Sequence, residues 1–180
     1  MEEKNKFQLE KVSVRLVSDV PMYSDTPIAT PEDAVSVVGE TLCEMDREVM
    51  CIINLRTDMR PINCTFASVG TIASTLVHPR EMLKASILSN TSAIIMVHNH
   101  PAGTLIPSKD DVGTTDRMQQ VCELMGISLL DHIIVGRDNR NYFSFKEKSV
   151  IKNHSPCYQD NYQQLRWESP AVAEKGRGGR

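Results

Sequence analysis

At 180 residues, the chain has room for one domain with extensions, by the yardstick of about 150 residues per domain. Apolar residues make up 41% of it and charged residues 24%, which excludes wholesale disorder. The 20 Lys and Arg against 23 Asp and Glu leave a net charge of -3, which excludes a global positive field for gripping a phosphate backbone.

The amino terminus opens with Glu2, Glu3 and Lys4 and carries no apolar stretch of the secretory kind. Residues 1–29 read as an N-terminal extension, in which alternation at Val12, Val14 and Leu16 predicts an edge strand ahead of Pro21 and Pro27. Thr30 followed by Pro31 predicts an N-cap and a first helical residue, and Ala34, Val35, Val37, Val38 and Leu42 continue a helical stripe over 31–44. Glu48–Leu55 is a nearly continuous apolar run rich in β-branched residues, as expected of a central strand covered on both faces. A polar turn at Arg56–Arg60 and a return strand at Pro61–Phe66 predict a hairpin.

Ser68–Val77 has weak periodicity and reads as a connection. Pro79 then opens a second helix with apolar Met82, Leu83, Ala85, Ile87 and Leu88, expected to end near Asn90. Ala93–Val97 is a five-residue apolar strand, the longest such run near the middle and far short of the roughly 20 residues of a membrane span, so no membrane partner is expected. It runs straight into a polar loop. Ser108 predicts the cap of a helix over Lys109–Met125, with Asp110 and Asp111 in its first turn and Gly126 as its stop. One or two strands over Ile127–Leu130 and His132–Val135, a turn at Arg137–Arg140 and a strand at Tyr142–Phe145 complete the pattern. Residues 151–180 read as a C-terminal extension ending in a loose, glycine- and base-rich tail. A mixed β-sheet flanked by helices, of α/β class, is the architecture this order predicts.

The chemistry concentrates at residues 98–111, H-N-H-P-A-G-T-L-I-P-S-K-D-D. His98 and His100 are two apart, so an extended chain points both to one side. Asp111 lies three residues after the cap Ser108, which brings its carboxylate and the serine hydroxyl into one neighbourhood. Two imidazoles and a carboxylate suit Zn²⁺ and leave a fourth position for water. A closed structural zinc site would want thiolates, and the five cysteines, Cys43, Cys51, Cys64, Cys122 and Cys157, all lie outside this stretch and never form a C-x-x-C pair. They read as reduced, mostly buried residues of a cytoplasmic protein. A carboxylate from elsewhere must take the proton of an attacking water, and Glu48 and Glu81 both stand close enough to strand or helix ends to serve.

Taken singly, these residues have ordinary readings: Ser108 as a cap, Asp111 as a helix-dipole partner, His78 as loop or cap, His132 as a residue that backs the site or belongs to the sheet, and His154 as a surface residue. Met45, Met50, Met59, Met82, Met96, Met118 and Met125 read as core filler. What lifts the stretch above them is its joint spacing at a strand end in a Pro-Gly loop.

H-x-H-P followed by S-x-x-D resembles the JAMM motif of the JAB/MPN metalloprotease superfamily. The longer form, with V77-H-P-R-E-M, G126-I-S-L-L-D-H-I-I-V-G136 and Y142-F-S-F145, is similar to its RadC-like branch over residues 30–150. The resemblance implies a three-layer MPN/JAB domain, similar to the cytidine deaminase fold. It also implies one catalytic zinc held by His98, His100 and Asp111, an oxyanion role for Ser108, and Glu48 as general base at the start of a central strand. Glu81 is implied as a recurring residue without an assigned role. The implied activity is zinc-dependent hydrolysis of a peptide or isopeptide bond. The family's usual helix-hairpin-helix region is not expected in the roughly thirty residues ahead of the match, and nucleic acid enters as a partner only through the family's association with DNA repair. The alternatives are a DNA repair or mobile-element module and a nonenzymatic MPN scaffold. An HNH nuclease needs its catalytic residues dispersed over a ββα-metal unit, and a zinc deaminase needs H-x-E with P-C-x-x-C; neither pattern is present.

Overall fold

In the computed structural model, residues 11, 13, 15–69 and 78–151 are described. Val12, Val14, most of the Ser68–Val77 connection, and the readings at His154, Cys157 and the C-terminal tail lie outside them. Leu16 is described and belongs to no strand.

Helix α1, Pro31–Cys43, starts where Thr30 and Asp33 form a capping box, each side chain taking the other residue's backbone N–H. Its buried stripe is Ala34, Val35, Val38 and Leu42. Strand β1, Val49–Leu55, is buried along its whole length and pairs antiparallel with β2, Pro61–Val69, and with β3, Ala93–Asn99. Two short helices, α2 (Pro79–Met82) and α3 (Lys84–Leu88), precede β3. Helix α4, Lys109–Met125, leads to β4, Ser128–Val135, which runs parallel to β3, and β5, Tyr142–Ser144, closes the sheet antiparallel to β4. The sheet order is β2-β1-β3-β4-β5, a mixed sheet flanked by helices and consistent with the MPN/JAB fold.

Strand alternation divides the core into two layers. Val49, Cys51, Ile53 and Leu55 of β1, Ala93, Ile95 and Val97 of β3, and Ile133 and Val135 of β4 pack with the α1 stripe. Met50, Ile52, Ile94, Met96 and Ile134 face the opposite way, against Met82 and Leu83 and against Met118 and Cys122 of α4. His98 continues the second of these faces, so it is delivered to the α4 side with no relative exposure.

Several expected boundaries shift for physical reasons. The single helix expected after Pro79 is two, broken at Leu83 (φ -94°, ψ -3°). Its five apolar residues do not fit one face: Met82 and Leu83 are buried, whereas Ile87 and Leu88 are 49% and 42% exposed. Of the one or two strands expected over 127–135 the structure forms one, 128–135, in which a bulge skips Leu130 and Asp131 stays paired with Ile95. β3 runs two residues beyond Val97, and β2 three beyond Phe66. Cys51 and Cys122 are buried but Cys43 and Cys64 only half so, all four being free thiols, and Met125 is exposed rather than core. Gly126 stops α4 in the left-handed region (φ 67°), its N–H reaching the carbonyls of Cys122 and Glu123. No helix among the described residues is long and apolar enough to cross a membrane.

Candidate metal centre

Three segments meet at one end of the sheet: the entry to β1, the exit of β3 and the first turn of α4. Glu48, His98, His100 and Asp111 each offer one ligand atom there, all within 4.8 Å of one another. His98 Nε2 lies 3.0 Å from His100 Nε2, 3.2 Å from Asp111 Oδ1 and 3.9 Å from Glu48 Oε1. His100 Nε2 lies 3.5 Å from the other oxygen of Asp111.

The main chain around Glu48 and the side chains of His100 and Asp111 are held from behind. Asn99 Oδ1 accepts the Val49 N–H at 2.8 Å and its Nδ2 donates to the Arg47 carbonyl at 3.0 Å, bracketing Glu48 on both sides. His100 Nδ1 faces the Thr104 carbonyl at 2.9 Å. A carbonyl only accepts, so the His100 proton sits on Nδ1 and neutral His100 presents a bare Nε2 to the centre. The turn that returns Thr104 passes through Gly103 at φ 85°, a conformation that side chains rarely adopt. Asp111 is fixed by the α4 capping box: Ser108 N–H donates to Asp111 Oδ2 at 2.6 Å and Asp111 N–H to Ser108 Oγ at 3.1 Å.

The electrostatics are compatible with a cation. Burial alone would raise the Asp111 carboxyl pKa, but His100 and His98, which in their protonated forms donate to it, outweigh that effect and hold the group far below the ordinary carboxylate range. Reciprocally, the hydrogen bond to Asp111 raises His100 against the opposing effect of its partial burial. A carboxylate facing two imidazole nitrogens is satisfied by a proton or by a metal ion. The donor set of two nitrogens and one carboxylate, with Glu48 at its edge, fits a divalent borderline ion with an open coordination position.

Glu81 does not join this group. It is on α2, 43% exposed in its side chain, and pairs with Lys84 at 2.5 Å and Arg80 at 3.8 Å. His132 lies behind His98, fully buried, with its Nε2 2.8 Å from His98 Nδ1. His78 stands at the N-cap of α2 and makes no side-chain cap bond.

Two supporting residues escape a sequence reading. Asn99 sits inside the H-N-H triplet, but its importance depends on the pairing of β1 with β3. Thr115 lies one helical turn after Asp111, the only hint of its position in the primary structure. His132 is aimed by the bulge in β4: Ile94 pairs with Leu129 but Ile95 with Asp131, so Leu130 is skipped and His132 turns to the α4 face. Asp131 stabilises that bulge by accepting from the N–H groups of His132 (2.7 Å) and Lys146 (2.9 Å) and the hydroxyl of Ser144 (2.6 Å).

A family profile described as a RadC-like JAB domain matches residues 28–150. The chain belongs to this RadC family. Among its relatives, a UPF0758 protein of Desulfitobacterium hafniense is 39% identical over 137 residues, covering 76% of this chain and 59% of the relative. A UPF0758 protein of Thermotoga maritima is 36% identical over 144 residues, 80% of this chain and 58% of the relative. One of Clostridium perfringens is 40% identical over 132 residues, 73% of this chain and 57% of the relative. This RadC-like chain thus spans less than two thirds of the length of these relatives.

Proposed function

We propose that the protein is a zinc-dependent metallohydrolase of JAMM type, acting on a peptide or isopeptide bond. The observation that carries this reading is the convergence of His98, His100 and Asp111 on one point, with the Glu48 carboxylate at its rim. His98, His100 and Asp111 would hold the ion. Zinc supplies Lewis acidity there, lowering the pKa of water towards about 7 and polarising a carbonyl.

The chain's own residues account for the proton traffic. Glu48 is bracketed at Arg47 and Val49, so its carboxylate can take a proton from the attacking water and return it to the leaving amine. Ser108 uses its Oγ as an acceptor in the α4 cap, which leaves its own proton for the developing oxyanion. The half-buried His100 and exposed Ser108 mark the side from which substrate approaches.

The test is zinc analysis of purified protein together with hydrolysis of a peptide and isopeptide panel. Stoichiometric zinc and turnover are expected, with Glu48→Gln keeping the zinc and losing about 10²–10⁴-fold in rate. Unchanged turnover in that variant overturns the role of Glu48. Zinc without turnover on any substrate returns the protein to the nonenzymatic scaffold reading. Retained zinc after loss of His100 or Asp111 overturns the ligand set.

A further inference from the structure

Behind His98 runs a chain of short contacts that ends on the centre's own helix. His98 Nδ1 is 2.8 Å from His132 Nε2, His132 Nδ1 is 2.6 Å from Thr115 Oγ1, and Thr115 Oγ1 is 2.7 Å from the carbonyl oxygen of Asp111. Every member is buried, His98 and His132 completely and Thr115 at 1% exposure. The His132 ring is also clamped flat against Phe145, with centroids 4.8 Å apart and planes 9° from parallel.

We infer that the Asp111 carbonyl, Thr115 and His132 form a one-directional relay that positions His98, fixing its proton on Nδ1 and leaving Nε2 bare towards the centre.

The direction follows from the fixed end. A carbonyl only accepts, so the single Thr115 hydroxyl proton must point at Asp111, because the reverse would set two oxygens 2.7 Å apart with no hydrogen between them. Thr115 Oγ1 is then an acceptor, and His132 must donate to it from Nδ1. Neutral His132 with its proton on Nδ1 presents a bare Nε2, so His98 donates from Nδ1. The last position in the chain, His98 Nε2, is therefore left to face His100 and Asp111 as a lone pair, a second proton on His100 Nε2 bridging the 3.0 Å between the two rings when no ion does. In a metal centre, a backing partner of this kind fixes the ligand's tautomer and ring orientation. The relay has a second consequence: Asp111 contributes its side chain to the centre and its carbonyl to the relay, so the first turn of α4 sets both the carboxylate and the protonation of the histidine opposite. Thr115 and His132 are positioning residues, since neither touches the point where the ligand atoms converge.

The test compares wild type with Thr115→Val, which keeps the shape and removes the hydroxyl, and Thr115→Ser, which restores it. The first readout is the imidazole ¹⁵N spectrum of metal-free protein at pH 8, which reports which ring nitrogen of His98 carries the proton. The second is zinc affinity by chelator competition; only this readout rests on the metallohydrolase reading. Wild type and Thr115→Ser are expected to hold His98 with its proton on Nδ1. Thr115→Val is expected to move proton density to Nε2 and to weaken zinc by about 10–100-fold. A proton on His98 Nε2 in wild type overturns the relay without any variant having to fold. So does a Thr115→Val protein with unchanged spectrum and unchanged affinity, even if zinc binds tightly. If the spectra behave as expected while no zinc binds to wild type, the relay stands and the metal reading fails.

Discussion

Asn99 stands between the two histidines in sequence, yet strand alternation turns its side chain away from that of His98. It spends both ends of its amide on β1, taking the buried Val49 N–H and giving to the Arg47 carbonyl. This is the join between the strand that carries the histidines and the segment that carries Glu48. Replacing Asn99 with Ala leaves the Val49 amide without its acceptor in a site of 1% exposure, a loss of about 1–3 kcal/mol. Denaturant unfolding should register that loss, while zinc content stays at the wild-type level because none of the three proposed ligands is disturbed. Stability indistinguishable from wild type would mean that the two strands find their register without this amide. Glu81 teaches the opposite lesson: an acid at a helix start near the motif in sequence is spent on exposed pairing with Lys84 and Arg80.

At the scale of elements, α4 combines a structural start with the chemistry of the centre. Ser108 caps it and Asp111 closes the box, so the cap and the proposed oxyanion role of Ser108 can be separated by choice of substitution. Ser108→Ala should cost about 0.5–2 kcal/mol, whereas Ser108→Gly should cost only a few tenths, since glycine is itself a tolerated N-cap. Both variants lose the hydroxyl, so if Ser108 assists the oxyanion they should lose turnover alike despite unequal stabilities; turnover that tracks stability instead would leave Ser108 as a cap alone. Much of this element was legible beforehand, because a cap, an acidic first turn and a terminal glycine are local signals. The spacing that brings His98, His100 and Asp111 together was legible for the same reason, lying in one unbroken stretch. The β4 bulge was not, since Asp131 reads as a break until Ser144 and the Lys146 amide are seen to satisfy it. The break at Leu83 was equally hidden: apolar letters alone do not say which of them the sheet will cover.

For the molecule as a whole, burying ionisable groups at the junction of three segments makes folding depend on pH, and the signs oppose one another. His132 is fully buried, and burial pushes its pKa well below the ordinary histidine value, with the neighbouring His98 adding to the shift. The unfolded chain therefore takes a proton below about pH 6.5 that the folded one refuses, so stability falls as pH drops through this range. His100 acts in reverse: its raised pKa adds stability that is present below about 6.5 and is lost as pH rises through its folded value. The two terms occupy adjoining windows, His132 below about 6.5 and His100 above it, and overlap only where they meet. The His132 term is isolated by comparing His100→Gln, which removes the adjoining term and one proposed metal ligand, with His100→Gln/His132→Gln. Without metal, between pH 6.5 and 5.5, the single variant should lose up to about 1.4 kcal/mol of unfolding free energy per pH unit relative to the double variant, the limit for one proton. Parallel pH profiles for the two proteins would mean that His132 accepts its proton inside the fold, and that the neutral ring assumed behind His98 does not persist into mild acid.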